Sequence, residues 1–133
     1  MTLSGILQPE GWPRPSGYSN GVLAQGRQVF IAGQVGWNPR TGKFESARLA
    51  DQVAQALKNV LAVLAAANGR PEHVARMTWY LTSRAEYIAQ LEEIGAAYRE
   101  VMGKHFPAMT AVEVTALIEA QAQVEIEATA VIP

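Results

Sequence analysis

Gln123-Val124-Glu125-Ile126-Glu127-Ala128-Thr129-Ala130-Val131 alternates without a break. Val124, Ile126, Ala128 and Ala130 face one way, and Glu125, Glu127 and Thr129 the other. That is the period-two pattern of a strand with one face on a core. Working back along the chain, residues 108–117 read as a second strand. Residues 73–81 read as a third, with Ala75, Met77, Trp79 and Leu81 on one side. Residues 20–24 and 28–32 flank Gln25-Gly26-Arg27, a hairpin signal in which glycine supplies the positive φ. Val29-Phe30-Ile31-Ala32 is apolar on both faces, as in a strand covered on both sides. A short extra strand is expected over residues 3–7, a loop rich in Pro and Gly over residues 11–17, and a turn at Asn38-Pro39 and Thr41-Gly42.

Two helices separate these strands. Leu49, Val53, Ala56, Leu57, Val60, Leu61 and Leu64 form one stripe within a helix over residues 46–68, which Asn68-Gly69 and Pro71 terminate. Ser83 and Glu86 form a capping box for the second helix. Tyr87, Leu91, Ile94, Tyr98 and Val101 give its stripe, and Gly103 fits a left-handed C′ position. The order is β-β-α-β-α-β-β, an α+β layer fold with two helices on one face of a mixed sheet. The second sheet face, with Phe30, Ala32, Val112, Val114 and the row containing Trp79, is too apolar for water. It is expected to pack against other subunits.

Composition narrows the chemistry. The chain has 133 residues, 49% hydrophobic and 17% charged, and reads as a single domain over residues 1–133. Its net charge of −1 gives no general attraction to nucleic acid or to an anionic membrane surface. The absence of cysteine excludes disulfides, thiolate nucleophiles and cysteine-ligated metals within one chain. The longest apolar run, over residues 60–67, is far short of a membrane span, and no signal-peptide pattern opens the sequence. A cytoplasmic protein is expected. His73 and His105 show no metal-ligand spacing, Gly33-Gln34-Val35-Gly36 is not a phosphate loop, and no serine sits in a nucleophile elbow.

Several segments resemble one family. Gly17-Tyr18-Ser19-Asn20-Gly21-Val22, Phe30-Ile31-Ala32-Gly33-Gln34, Gln55-Ala56-Leu57-Lys58-Asn59-Val60, Phe106-Pro107-Ala108 and Val124-Glu125-Ile126-Glu127-Ala128-Thr129-Ala130 are similar, in order, to motifs of the RidA/YjgF/L-PSP family of reactive enamine/imine deaminases. The resemblance implies a chorismate-mutase-like fold and a homotrimer around a central barrel. It also implies a small-molecule ligand in each inter-subunit cleft. No cofactor and no metal are expected. In the family's deaminases an arginine after the Pro-Ala pair holds the substrate carboxylate bidentately, a tyrosine and a glutamate complete the cleft, and water attacks the imine carbon.

Carried onto this sequence, the tyrosine is Tyr18, the glutamate is Glu125 and the cleft glycine is Gly33. The arginine position is Met109, the small polar or sulfur position is Ala111, and the asparagine of the second helix is Gly95. The scaffold is therefore kept while the carboxylate clamp is absent. Glu125 and Tyr18 are the catalytic candidates, with Glu125 orienting or activating water and Glu127 beside it solvated. Gly33, Trp37, Gly95, Met109 and Ala111 are the substrate-binding candidates. Arg14 and Arg76 are the cations best able to replace the arginine, with a glutamate salt bridge the default for Arg76. A hydrolase of the enamine/imine deaminase type is the leading expectation. A metabolite-binding trimer without turnover comes second, and an endoribonuclease or translation inhibitor last.

Overall fold

The alternating segment runs through the middle of the sheet. The computed structural model describes residues 5–133, and its strands are β1 (Gly5–Leu7), β2 (Gly21–Leu23), β3 (Arg27–Val35), β4 (Val74–Leu81), β5 (Ala108–Glu113) and β6 (Val124–Ile132). The main sheet has the order β3-β6-β4-β5, with β6 antiparallel to both neighbours and β5 parallel to β4. Val124, Ile126, Ala128 and Ala130 are buried, and Glu125, Glu127 and Thr129 lie on the opposite face. Their neighbours follow suit. Trp79 pairs with Ile126 and Met77 with Ala128, while Tyr80 pairs with Glu125 and Thr78 with Glu127.

The helices α1 (Leu49–Ala65), α2 (Arg84–Ala89) and α3 (Leu91–Met102) cover the apolar face. Leu49, Val53, Ala56, Leu57, Val60 and Leu64 are buried as one stripe of α1. Asn68 takes the left-handed conformation after it, with φ of 62°. Among the described residues no helix is long and apolar enough to cross a membrane. The α+β layer fold is as the sequence implies.

Several details differ from the sequence reading. The expected hairpin across Gln25-Gly26-Arg27 does not form. β2 pairs antiparallel with β1, and β3 pairs with β6 instead. Gly26 does have a positive φ of 150°, but its role is clearance, since a Cβ there would meet the Ile132 carbonyl oxygen at 2.3 Å. Of the strand expected over residues 3–7, Leu3 and Ser4 lie outside the described residues. Residues Pro71–His73 form a 3₁₀ turn in which the Arg70 N–H donates to His73 Nδ1 at 2.8 Å. β5 stops at Glu113, short of residue 117, because its partner β4 ends at Leu81: the Val114 N–H donates the last rung of the parallel ladder to the Leu81 carbonyl at 2.8 Å.

The second helix is broken in two at Gln90, whose side chain reaches out to another element. Its Oε1 accepts from the Ala50 N–H at 3.0 Å, satisfying one of the free donors at the start of α1. Ser83 caps α2 as expected, accepting from the Glu86 N–H at 3.1 Å. The Glu86 carboxylate instead accepts from Gln90 Nε2, so the capping box is half-formed. The row containing Trp79 belongs to the helix-covered face, where Met77, Trp79 and Leu81 are buried. The open face is consequently mixed: Phe30 is 75% exposed and Val112 41%, beside Thr78, Tyr80, Glu125 and Glu127.

Two amides buried on α1 tie the sheet's loops to the helix. Gln52 donates to the Ser46 and Gln121 carbonyls, both at 3.1 Å, and accepts from the Gln123 N–H at 2.8 Å. Asn59 Nδ2 donates to the Val35 carbonyl at 2.9 Å and the Trp37 carbonyl at 3.0 Å. Deleting either side chain strands buried backbone groups, at about 1–3 kcal/mol for each group left unpaired. Asn59→Ala is expected to lower unfolding stability by roughly 2–4 kcal/mol in urea denaturation. Lys58→Ala, at the exposed neighbouring position, should change it by no more than about 0.5 kcal/mol.

Candidate functional site

The site residues fall into two cavities on opposite faces of the sheet. The first, on the helix side of the β5 edge, has a volume of about 710 Å³ and brings together Tyr18, Gly95, Met109 and Ala111. Met109 and Ala111 are in register with the buried Met77 and Trp79, which fixes their side. Tyr18 is held there by its neighbour: Ser19 is buried, its N–H donates to the Pro107 carbonyl at 3.0 Å, and its Oγ donates to the Phe106 carbonyl at 2.5 Å. The floor is aromatic. Tyr98 stacks on Phe106 with centroids 5.5 Å apart and lies 6.3 Å from Trp79. The Tyr98 hydroxyl donates to the His105 carbonyl at 2.5 Å, and burial pushes its phenol well above the ordinary range.

The second cavity, about 390 Å³, opens on the other face and contains Gly33, Tyr80, Glu125 and Glu127. The register of β3 on β6 shifts between Ile31 and Gln34, a bulge that includes Gly33. A Cβ at position 33 would lie 2.0 Å from Glu125 Oε2, so only glycine leaves the carboxylate its present place. Glu127, expected to be solvated, instead accepts a hydrogen bond from the Tyr80 hydroxyl. That bond, reinforced by the carboxylate charge, raises the Tyr80 phenol above its usual range.

Three other candidates lie outside both cavities. Trp37 lines neither cavity; it packs against Phe44 at 5.9 Å, and its carbonyl is taken by Asn59. Arg76 is exposed on the open face, and among the described residues the ion pairs are Arg48–Glu93 and Arg70–Glu72. Arg14, also exposed, lines neither cavity. A further hollow of about 770 Å³ between residues 44–47 and 115–123 contains none of the expected site residues. Among the described residues no group of three or more metal-ligating side chains is present. His73 accepts from backbone, and burial lowers its pKa. His105 Nε2 lies 2.7 Å from the Val74 carbonyl.

A family model described as endoribonuclease L-PSP matches residues 13–132, from the loop before Tyr18 through the end of β6. The chain belongs to this family, also called RidA/YjgF. It is 34% identical over 125 residues to a RutC family protein of Pyrococcus horikoshii, covering 94% of this chain and 95% of the relative. It is 33% identical over 114 residues to human 2-iminobutanoate/2-iminopropanoate deaminase, covering 86% of this chain and 79% of the human protein. Among solved structures, the Rid family protein YyfB of Yersinia pestis matches with a TM-score of 0.83 at 33% identity, over 96% of this chain and 98% of that one.

As a RidA/YjgF protein the chain has a cation in its first cavity that sequence reasoning passed over. Arg99, on α3, lines the same cavity as Met109. The signal was its spacing: it follows Gly95 by four residues, one helical turn on the same face. The pairing of Tyr80 with Glu127 likewise follows only from the β4–β6 register.

The Tyr80–Glu127 bond has a pH signature. Because the folded phenol pKa is raised, its contribution to stability is complete below the unfolded value of about 10 and is lost as pH rises through the folded value. Glu127→Gln removes the carboxylate that holds the proton in place. Tyrosine ¹³Cζ NMR titration should show Tyr80 ionising at lower pH in that variant than in the parent protein, with Tyr98 unmoved.

Proposed function

We propose that this protein assembles as a homotrimer in which the Met109 cavity of one chain faces the Glu125 cavity of its neighbour, and that the joined cleft hydrolyses a small imine or enamine. The observation that carries this reading is the Gly33–Glu125 contact, which sets an unblocked carboxylate beside an open hollow. Met109 and Glu125 lie on opposite faces of one sheet, so a site using both requires two chains. Phe30, standing in water on the open face of a single copy, supports burial of that face between subunits.

In the reaction, Glu125 takes a proton from water as the oxygen bonds to the imine carbon, and the imine nitrogen takes a proton from solvent. As the adduct collapses, the hydroxyl loses its proton to solvent and Glu125 gives its proton to the nitrogen, so the carbonyl forms, the C–N bond breaks, ammonia leaves and the carboxylate is restored. Carbon oxidation state is unchanged, so no redox cofactor is required. Tyr18 orients the substrate at the rim. The human relative's name supports the reaction class. Met109, where the resemblance puts the carboxylate-binding arginine, supports a substrate without a carboxylate on the imine carbon. A net charge of −1 gives the nuclease in the family description little electrostatic support.

Light scattering should give about three times the chain mass, and a stable monomer would remove the shared cleft. On 2-iminopropanoate generated in situ, kcat/KM should fall roughly ten- to hundredfold or more below that of an arginine-bearing relative, since each lost charge-assisted bond is worth about 1.5–3 kcal/mol. On imines released from primary amines by an amine oxidase, Glu125→Gln should abolish accelerated ammonia release while leaving the trimer intact. Full activity of that variant would refute the general-base role. Tight binding without turnover in the parent protein would favour a metabolite-binding trimer.

A further inference from the structure

Arg99 is the only cation lining either site cavity among the described residues. It stands in the last turn of α3, where the helix dipole favours positive charge whatever the ligand. The dipole does not explain the side chain's direction. A Cβ on Gly95 would lie 3.3 Å from Arg99 Nη1, so the guanidinium is laid back along the helix onto the bare glycine. A larger residue at 95, such as the asparagine implied by the family resemblance, would compete for that space. Arg99 belongs to neither ion pair found among the described residues. Glu92, the one carboxylate lining the same cavity, is exposed and not bonded to it.

The surroundings of the guanidinium indicate what it would hold. Below it lies the floor of Trp79, Tyr98 and Phe106. Trp79 is 1% exposed, and its Nε1–H is buried with no hydrogen-bond partner among the described residues. Buried donors are nearly always paired, and an unpaired one costs about 1–3 kcal/mol. The cavity thus combines an apolar aromatic floor with an exposed guanidinium, outside both ion pairs, beside it. Such a lining suits a flat or branched apolar body carrying an acceptor-rich anion.

We propose that Arg99, seated on Gly95, is a specificity-determining residue that binds a carboxylate carried on the apolar body of the substrate, away from the imine carbon. This rests on the cleft reading above and names its substrate class: imines or enamines of apolar, chiefly aromatic, carboxylic acids. The charge clamp has moved from the strand position now occupied by Met109 to the helix, and the distance between acid and reacting carbon lengthens with it.

The test measures binding alone, so its failure and that of the hydrolysis reading are separable: Glu125→Gln governs turnover, and Arg99 governs affinity for an acid. Isothermal titration uses 3-phenylpropionate and its neutral isostere 3-phenylpropionamide. The parent protein should bind the acid more tightly than the amide. Arg99→Gln should weaken the acid roughly tenfold or more, as loss of one charge-assisted pair predicts, and move the amide by less than about twofold. Arg99→Lys should restore part of the acid affinity, while Arg14→Gln and Arg76→Gln should leave it unchanged. An acid that binds the parent protein no better than the amide, or equally well to Arg99→Gln, overturns the proposal. So does transfer of the effect to Arg14→Gln or Arg76→Gln.

Discussion

Period two in a central strand is the constraint from which the rest of this structure follows. β6 is hydrogen-bonded on both edges, so its alternation is imposed on β3 and β4 as well. Every side chain with Ile126 and Ala128 goes to the helices, and every one with Glu125 and Glu127 goes to the other face. A slip of one residue would bury two carboxylates and expose four apolar side chains. No such register is affordable when a single buried unpaired charge costs several kcal/mol. The strand that builds the core therefore also fixes which face carries the chemistry.

Small residues then decide how that chemistry is used. At Gly33 the missing Cβ admits the Glu125 carboxylate, and at Gly95 it admits the Arg99 guanidinium. The two vacated spaces lie on opposite sides of the sheet, one by an acid and one by a base. Within one chain they cannot act on the same molecule. Between two chains, as proposed, they would supply a proton acceptor from one wall and an anion site from the other, which is the economy of a shared cleft in a symmetric oligomer. On the proposed reading, methionine at position 109, where the resemblance puts an arginine, would alter where charge is held on an otherwise kept scaffold.

The layer fold was legible because its signals are local and redundant. The alternation of residues 123–131, the α1 stripe and the Asn68-Gly69 stop each name an element without reference to the others. What could not be read were features set by partners far along the chain. Gly26 looks like a hairpin turn, yet its conformation answers to Ile132; Gln90 sits in an unbroken helical stripe, yet leaves it to cap α1. The site residues Tyr18, Gly95, Met109 and Ala111 do meet in one cavity, and Gly33 and Glu125 in another. Trp37 lies outside both cavities, and its packing on Phe44 could not be read from its place in the chain. Arg99 was missed because a cation near a helix C-terminus has an ordinary explanation, and only the spacing to a glycine one turn earlier sets it apart.

The central claim is that the two half-sites act together only across a subunit boundary, and subunit exchange tests it directly. Glu125→Gln disables one half, and Met109→Trp fills the other. Each homotrimer should be inactive on an amine-derived imine. Mixed by unfolding and refolding in equal amounts, the two variants should recover about one quarter of parental activity, the fraction of clefts that receive both intact halves. Recovery would mean that Met109 and Glu125 of neighbouring chains face one substrate. Mixed trimers that form, as shown by mass, yet remain inactive would contradict the account.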